Sequence, residues 1–160
     1  MSENKTPAFT GLVLHDDKKW RINFWYPDGW FPLKMAARRQ GAAYAPHADD
    51  ASTSFSYEVK NLRVKVTGAD LDVLYEGFIE GLNKLPDIKI EWQDKWVAAA
   101  LVGVEAKYTF TEQGVTRKRW VRLLYETTRQ FHIVAQGATV EEYAYWEPML
   151  YECMATVKID

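Results

Sequence analysis

The chain has 160 residues, 48% of them apolar and 26% charged, a balance that suits one globular domain burying roughly 70% of its unfolded surface. Twenty basic and 22 acidic side chains leave a net charge of −2, which argues against a general nucleic-acid binder. A single cysteine, Cys153, excludes an internal disulfide and a cysteine-based zinc site.

Seven Trp, nine Tyr and seven Phe make the chain rich in aromatics, which fits a β-rich domain with an adhesive surface. Residues 1–8 read as a flexible polar tail without the apolar centre of a signal peptide. No stretch approaches the roughly 20 apolar residues of a membrane span. The expected location is the cytoplasm, with no membrane insertion. Residues 9–160 read as a single domain.

A first strand is expected over residues 9–14, turning at Asp16-Asp17-Lys18. The second covers 19–26, where Trp20, Ile22, Phe24 and Tyr26 alternate with polar residues, the period of a strand burying one face. Pro27-Asp28-Gly29-Trp30 then turns the chain, since proline pre-sets φ and glycine tolerates positive φ. Residues 32–51 lose the pattern and read as a long loop with one short strand near 42–45. Such loops are often functional.

Thr53, Phe55, Tyr57 and Val59 alternate with serines and Glu58. Leu62, Val64 and Val66 continue in the opposite phase, so a bulge or turn is expected near Lys60-Asn61. The period then lengthens. Leu71, Leu74, Tyr75, Phe78, Leu82 and Leu85 have helical spacing, with a capping box at Thr67–Asp70 and Pro86 as a stop.

Four strands follow, around 88–92, 102–110, 116–126 and 130–135. Glu112-Gln113-Gly114 and Thr127-Thr128-Arg129 are short enough to join neighbours as hairpins. A last helix starts from a capping box at Thr139–Glu142 and carries Tyr143, Trp146, Leu150, Cys153, Met154 and Val157 as its apolar stripe. Pro148 inside it predicts a kink or a break into two short helices.

This order of elements resembles the PsbP-like family, which is named for an accessory protein of the photosynthetic oxygen-evolving complex. The family also includes a eukaryotic Ran-binding protein and small bacterial proteins. The resemblance is carried by Tyr26-Pro27-Asp28-Gly29-Trp30, the serine-rich strand 52–58 and the helix end Leu82-Asn83-Lys84-Leu85-Pro86. Tyr108, Gly114, Arg117-Lys118-Arg119-Trp120 and the terminal helix through 149–154 add to it. It implies an α+β fold: an antiparallel sheet of six to seven strands with helices packed on both faces, an α/β/α sandwich. Fold alone does not assign function. One role implied by the bacterial relatives is a chaperone that cradles the apolar helices of a secreted client. The exported members carry leaders that this sequence does not show, which argues against a role at the manganese cluster.

No catalytic constellation emerges. His15, His47 and His132 have no HxxxH spacing and read as surface or satisfied histidines. Asp16-Asp17, Asp28 and Asp49-Asp50 lack the calcium-loop pattern and read as turn residues, so no metal or cofactor is expected. Ser52, Ser54 and Ser56 form the solvent side of a strand, and Cys153 belongs to the apolar stripe. Alternation divides Arg117, Lys118, Arg119, Trp120 and Arg122 between two faces rather than forming one basic patch.

Trp25 interrupts the polar side of its strand. It is core if a helix covers that face, and otherwise marks an exposed interaction patch. The candidate protein-binding residues are therefore Trp25, Trp30, Phe31, Arg38, Arg39 and Trp120. The expected function is a non-catalytic binding or accessory protein that presents its sheet surface and an aromatic-rimmed loop to a protein partner. Self-association as a homodimer is open. The competing reading is a small-ligand or anion binder, or an enzyme, with a pocket between the sheet and loop 32–51 and with Arg38, Arg39 or His47 at an anion.

Overall fold

The computed structural model describes residues 7–160; of the expected tail, residues 1–6 lie outside that range. Nine strands are described: β1 Leu12–Asp17, β2 Ile22–Pro27, β3 Phe31–Leu33, β4 Gln40–Ala45, β5 Ser54–Val66, β6 Lys89–Ala98, β7 Leu101–Glu112, β8 Val115–Gly137 and β9 Lys158–Ile159. Helix α1 spans Leu71–Leu82 and α2 Val140–Ala155. The strands make two sheets where one was expected. The smaller has the order β1-β2-β9 and the larger β3-β4-β5-β8-β7-β6, with every paired neighbour antiparallel.

The 32–51 stretch holds more strand than expected: β4 stands where the short strand near 42–45 was expected, and β3 pairs with it, while β4 also pairs with β5. Gly41-Ala42-Ala43 carries no β-branched signal, so only the free edge of β5 recruits it into the sheet. Gly41 permits the approach: a Cβ there would lie 2.0 Å from the Tyr57 carbonyl oxygen.

The expected hairpin at Thr127-Thr128-Arg129 is present within β8, which folds back on itself there: Arg119 Nε reaches Gln136 Oε1 at 2.5 Å, and Val121 packs with Val134. Its first part, Val115–Glu126, pairs with β7, and its second part, from Thr127, with β5. Thr127 takes a left-handed φ of 56°, and the β5 register shifts between Asn61 and Val66. The shift near Lys60-Asn61 thus takes the form of a bulge. Buried Arg129 holds the bend: its guanidinium pairs with Glu126 at 2.9 Å and donates to the carbonyls of Trp20 and Asp160.

The helices follow the sequence reading more closely. The Thr67 hydroxyl and Asp70 carboxylate form the expected capping box, on a 3₁₀ turn leading into α1. At α2 the Thr139 hydroxyl accepts from the Glu142 amide at 3.0 Å. Pro148 lies inside α2 without dividing it, and Tyr143 before it and Met149, Leu150, Cys153 and Met154 after it stay buried. Core packing there outweighs the lost backbone hydrogen bond.

Ile22 and Phe24 of β2 pack with α2 and with Phe55, Tyr57, Phe131 and Ile133 of the large sheet. Trp120 and Leu124 of β8 join this cluster. Val121, next in sequence to Trp120, instead packs with Phe78 and Leu82 of α1 and Tyr108 of β7.

Candidate functional site

The β1–β2 hairpin has two chemically different faces. Leu14 stands opposite Trp25, and Leu12 opposite buried Pro27, so Leu12, Leu14 and Trp25 share the outward face. Leu12, Leu14 and Trp25 are 40%, 43% and 41% exposed, and Phe9 nearby is 45% exposed. Phe9, Leu12 and Glu152 of α2 border one shallow cavity. The Trp25 amide donates to Thr156 Oγ1 at 3.0 Å, anchoring this strand to the end of α2. Of the two alternatives for Trp25, the exposed patch is the one observed.

The inward face carries His15 opposite Phe24, the two rings stacked with centroids 5.0 Å apart. His15 Nδ1 is 2.7 Å from the Tyr44 hydroxyl and Nε2 is 2.7 Å from the Tyr57 hydroxyl. Tyr57 donates to Asp17 Oδ2, also at 2.7 Å. Since Tyr57 donates to a carboxylate, it must accept from His15 Nε2–H, which leaves Nδ1 to accept from Tyr44. One tautomer therefore satisfies the whole chain. Burial holds His15 below the ordinary imidazole value, against the opposing pull of Asp17 and Asp16. Burial, then the neighbouring Tyr26, push Tyr44 up to about 12, and burial with Asp17 pushes Tyr57 higher still. These phenols stay protonated, so the network is a structural clasp between the two sheets. Nothing in the spacing of His15, Asp17, Tyr44 and Tyr57 along the chain announced it.

The other candidate residues separate. Phe31 is exposed, at the start of β3. Trp30 is only 8% exposed and meets Trp146 of α2 edge to face at 5.9 Å, so this expected partner-facing residue lies in the core. Trp120, 5% exposed, is likewise core. Its indole and that of Trp96 donate to the two oxygens of buried Glu105, at 2.9 and 2.8 Å, and Arg122 completes the cradle. Gly103 makes room for Trp96, whose ring would stand 2.4 Å from an added Cβ.

Arg38 and Arg39 sit in the 34–39 bend, and Arg39 Nε lies 3.8 Å from Glu58. The basic run does divide: Lys118 pairs with Glu91, Arg119 lies over Phe110, and Arg122 joins Glu105. Cys153 is fully buried and its thiol is pushed far up by desolvation, so it is inert. No helix of the described residues is long and apolar enough to cross a membrane.

No protein-family model matches the chain, and no curated protein matches it in sequence. Solved structures do. The cyanobacterial PsbP of Synechocystis superposes with a TM-score of 0.65 at 9% identity, covering 100% of this chain and 99% of that one. LpqN, involved in cell envelope biogenesis of Mycobacterium tuberculosis, gives 0.61 at 15% identity over 96% and 89%. The Saccharomyces cerevisiae Ran-binding protein Mog1p gives 0.54 at 12% identity over 93% and 95%. The fold is PsbP-like, an α+β arrangement of antiparallel sheets with two helices.

Proposed function

We propose that this chain is a non-catalytic binding or accessory protein whose working surface is the outer face of the β1–β2 hairpin. The observation that carries the reading is the pairing of Leu14 with Trp25, both above 40% exposed, with Leu12 beside them on the same face. An apolar cluster left open on a small domain is characteristic of an interaction site. Rigidity supports it too. Trp25 is fixed by its strand, by Thr156 and by the buried Phe24 next to it, so little order would be lost on binding.

The likeness to Mog1p, a Ran-binding protein, and to cyanobacterial PsbP supports a protein partner over a substrate. The layered reading of the fold supports the assignment of faces. Trp120 and Val121, successive residues of β8, pack in the α2 and α1 clusters respectively, which supports a reading with one helix on each face. The narrower version is a chaperone, with the apolar hairpin face receiving an apolar helix of its client.

Affinity capture from the native cell extract, run beside thermal melting, tests the proposal. Trp25→Ala should abolish capture and leave the melting temperature within a degree or two, as surface substitutions usually do. Equal loss of both would overturn it. Light scattering on the wild type and Trp25→Ala reads whether the captured partner is a second copy.

A further inference from the structure

The side of the large sheet that faces away from β2 carries a second concave surface. Two cavities of about 320 and 380 Å³ adjoin there and share His132, within the size range of small-molecule sites. Their floor is formed by the β5 and β8 residues that alternate with the core: Ser54, Ser56 and Glu58 between Phe55, Tyr57 and Val59, and His132 between Phe131 and Ile133.

The two halves differ in chemistry. The half beneath the 34–39 bend holds Lys34 and Arg39, the hydroxyls of Ser54 and Ser56, and Glu58 as its one carboxylate. The half beside α1 is walled by Phe78, Leu82 and Leu85 and floored by Val121 and Leu123, with Arg119 between the two. Three cations against one carboxylate line a surface of a chain whose net charge is −2. Lys60, cross-strand from Gln130 on the same face, adds a fourth cation nearby. Such local excess selects anions.

A separate feature concerns α1. Gly77 and Gly81, one helical turn apart, both line the apolar half, and an added Cβ at either would meet nothing within 4 Å. Each costs the helix about 1 kcal/mol relative to alanine. Neither adopts a positive φ, so no backbone demand explains them. They keep space open over an apolar floor.

We infer that this groove is a binding site for a small amphipathic carboxylate. Its head would sit between Arg39 and Lys34 beside the Ser56 hydroxyl, and its alkyl or aryl body would lie past His132 along α1. The site realises the pocket expected between the sheet and the 32–51 stretch, and names the ligand class that suits it. It is independent of the hairpin face, which lies on the other side of the large sheet.

Octanoate, titrated into the full chain by calorimetry and by amide chemical-shift mapping, is the test. Octanoate should bind and shift residues around His132, while octylamine, with the same body and opposite charge, and acetate, with the head alone, should bind at least about tenfold more weakly. Arg39→Ala removes an exposed head-group contact and should weaken octanoate about tenfold, with a raised salt sensitivity lost in parallel. Gly81→Leu improves helix propensity yet fills the apolar half, so it should raise or preserve the melting temperature and abolish binding. The inference is overturned if octanoate does not bind at millimolar concentration, if octylamine binds equally well, or if the shifts map to Phe9 and Leu12 instead. Retained affinity in Gly81→Leu would also overturn it.

Discussion

His15 and Tyr57 meet at 2.7 Å across the junction of the two sheets, one residue from β1 and the other from β5. With Tyr44 and Asp17 they form a polar chain in which each group has one consistent role. Phe24 packs against both rings, so the network is roofed by apolar surface. Removing a member leaves its neighbours desolvated and unpaired. Tyr57→Phe should therefore cost about 1–3 kcal/mol, read from urea unfolding, although only one oxygen is lost. A change below 0.5 kcal/mol would show that water replaces the hydroxyl.

The same clasp sets a pH dependence. The folded pKa of His15 lies below its ordinary 6.5, so as pH falls the unfolded chain takes up the proton first. Stability should be level above about pH 7, decline as pH drops through 6.5, and stop declining below the folded pKa. His132 is shifted in the same direction, by burial first, against the opposing pull of Glu58 and with help from Arg119, Lys60 and Arg39, so it adds to the slope. His15→Gln isolates the His15 share: urea midpoints at pH 7.5 and 5.5 should differ less in the variant than in the wild type.

Glu105 is a buried carboxylate held by two indoles and a guanidinium. Glu105→Ala strips Arg122 of its partner and orphans two indole N–H groups, a loss of about 3–5 kcal/mol. Glu105→Gln keeps an acceptor and should lose less. Tryptophan emission reports the change directly, since Trp96 and Trp120 are the residues released.

Gly103 is required by shape. Gly103→Ala should force Trp96 from its place and destabilise by about 1–3 kcal/mol, while Gly114→Ala in the β7–β8 turn should act only through its φ of 79°. Comparing the two melting temperatures together with Trp96 emission separates crowding from backbone strain.

Much of this architecture was legible in the residue pattern. The helices at Leu71–Leu82 and Val140–Ala155 announced themselves by 3.6-residue spacing and capping residues, and Glu112-Gln113-Gly114 by turn chemistry; Gln113 and Gly114 indeed take φ of 52° and 79°. These signals are local, so they survive without knowledge of neighbours. β4 was weakly marked because Gly41, Ala42 and Ala43 gain their strand from pairing with β5. The turn of β8 at Thr127 was marked by Thr127-Thr128-Arg129, but the reach of Arg129 to the carbonyls of Trp20 and Asp160, 109 and 31 residues away, was not.

Trp25 shows where the division falls. Alternation alone placed Phe24 and Trp25 on opposite sides of one strand, because successive residues of a strand must point opposite ways. It could not say what covers each side. That was decided by α2 and the large sheet closing over Phe24, while nothing among the described residues closes over Trp25 and Leu14. The sequence thus determined two faces; only long-range packing determined that one is core and the other is exposed.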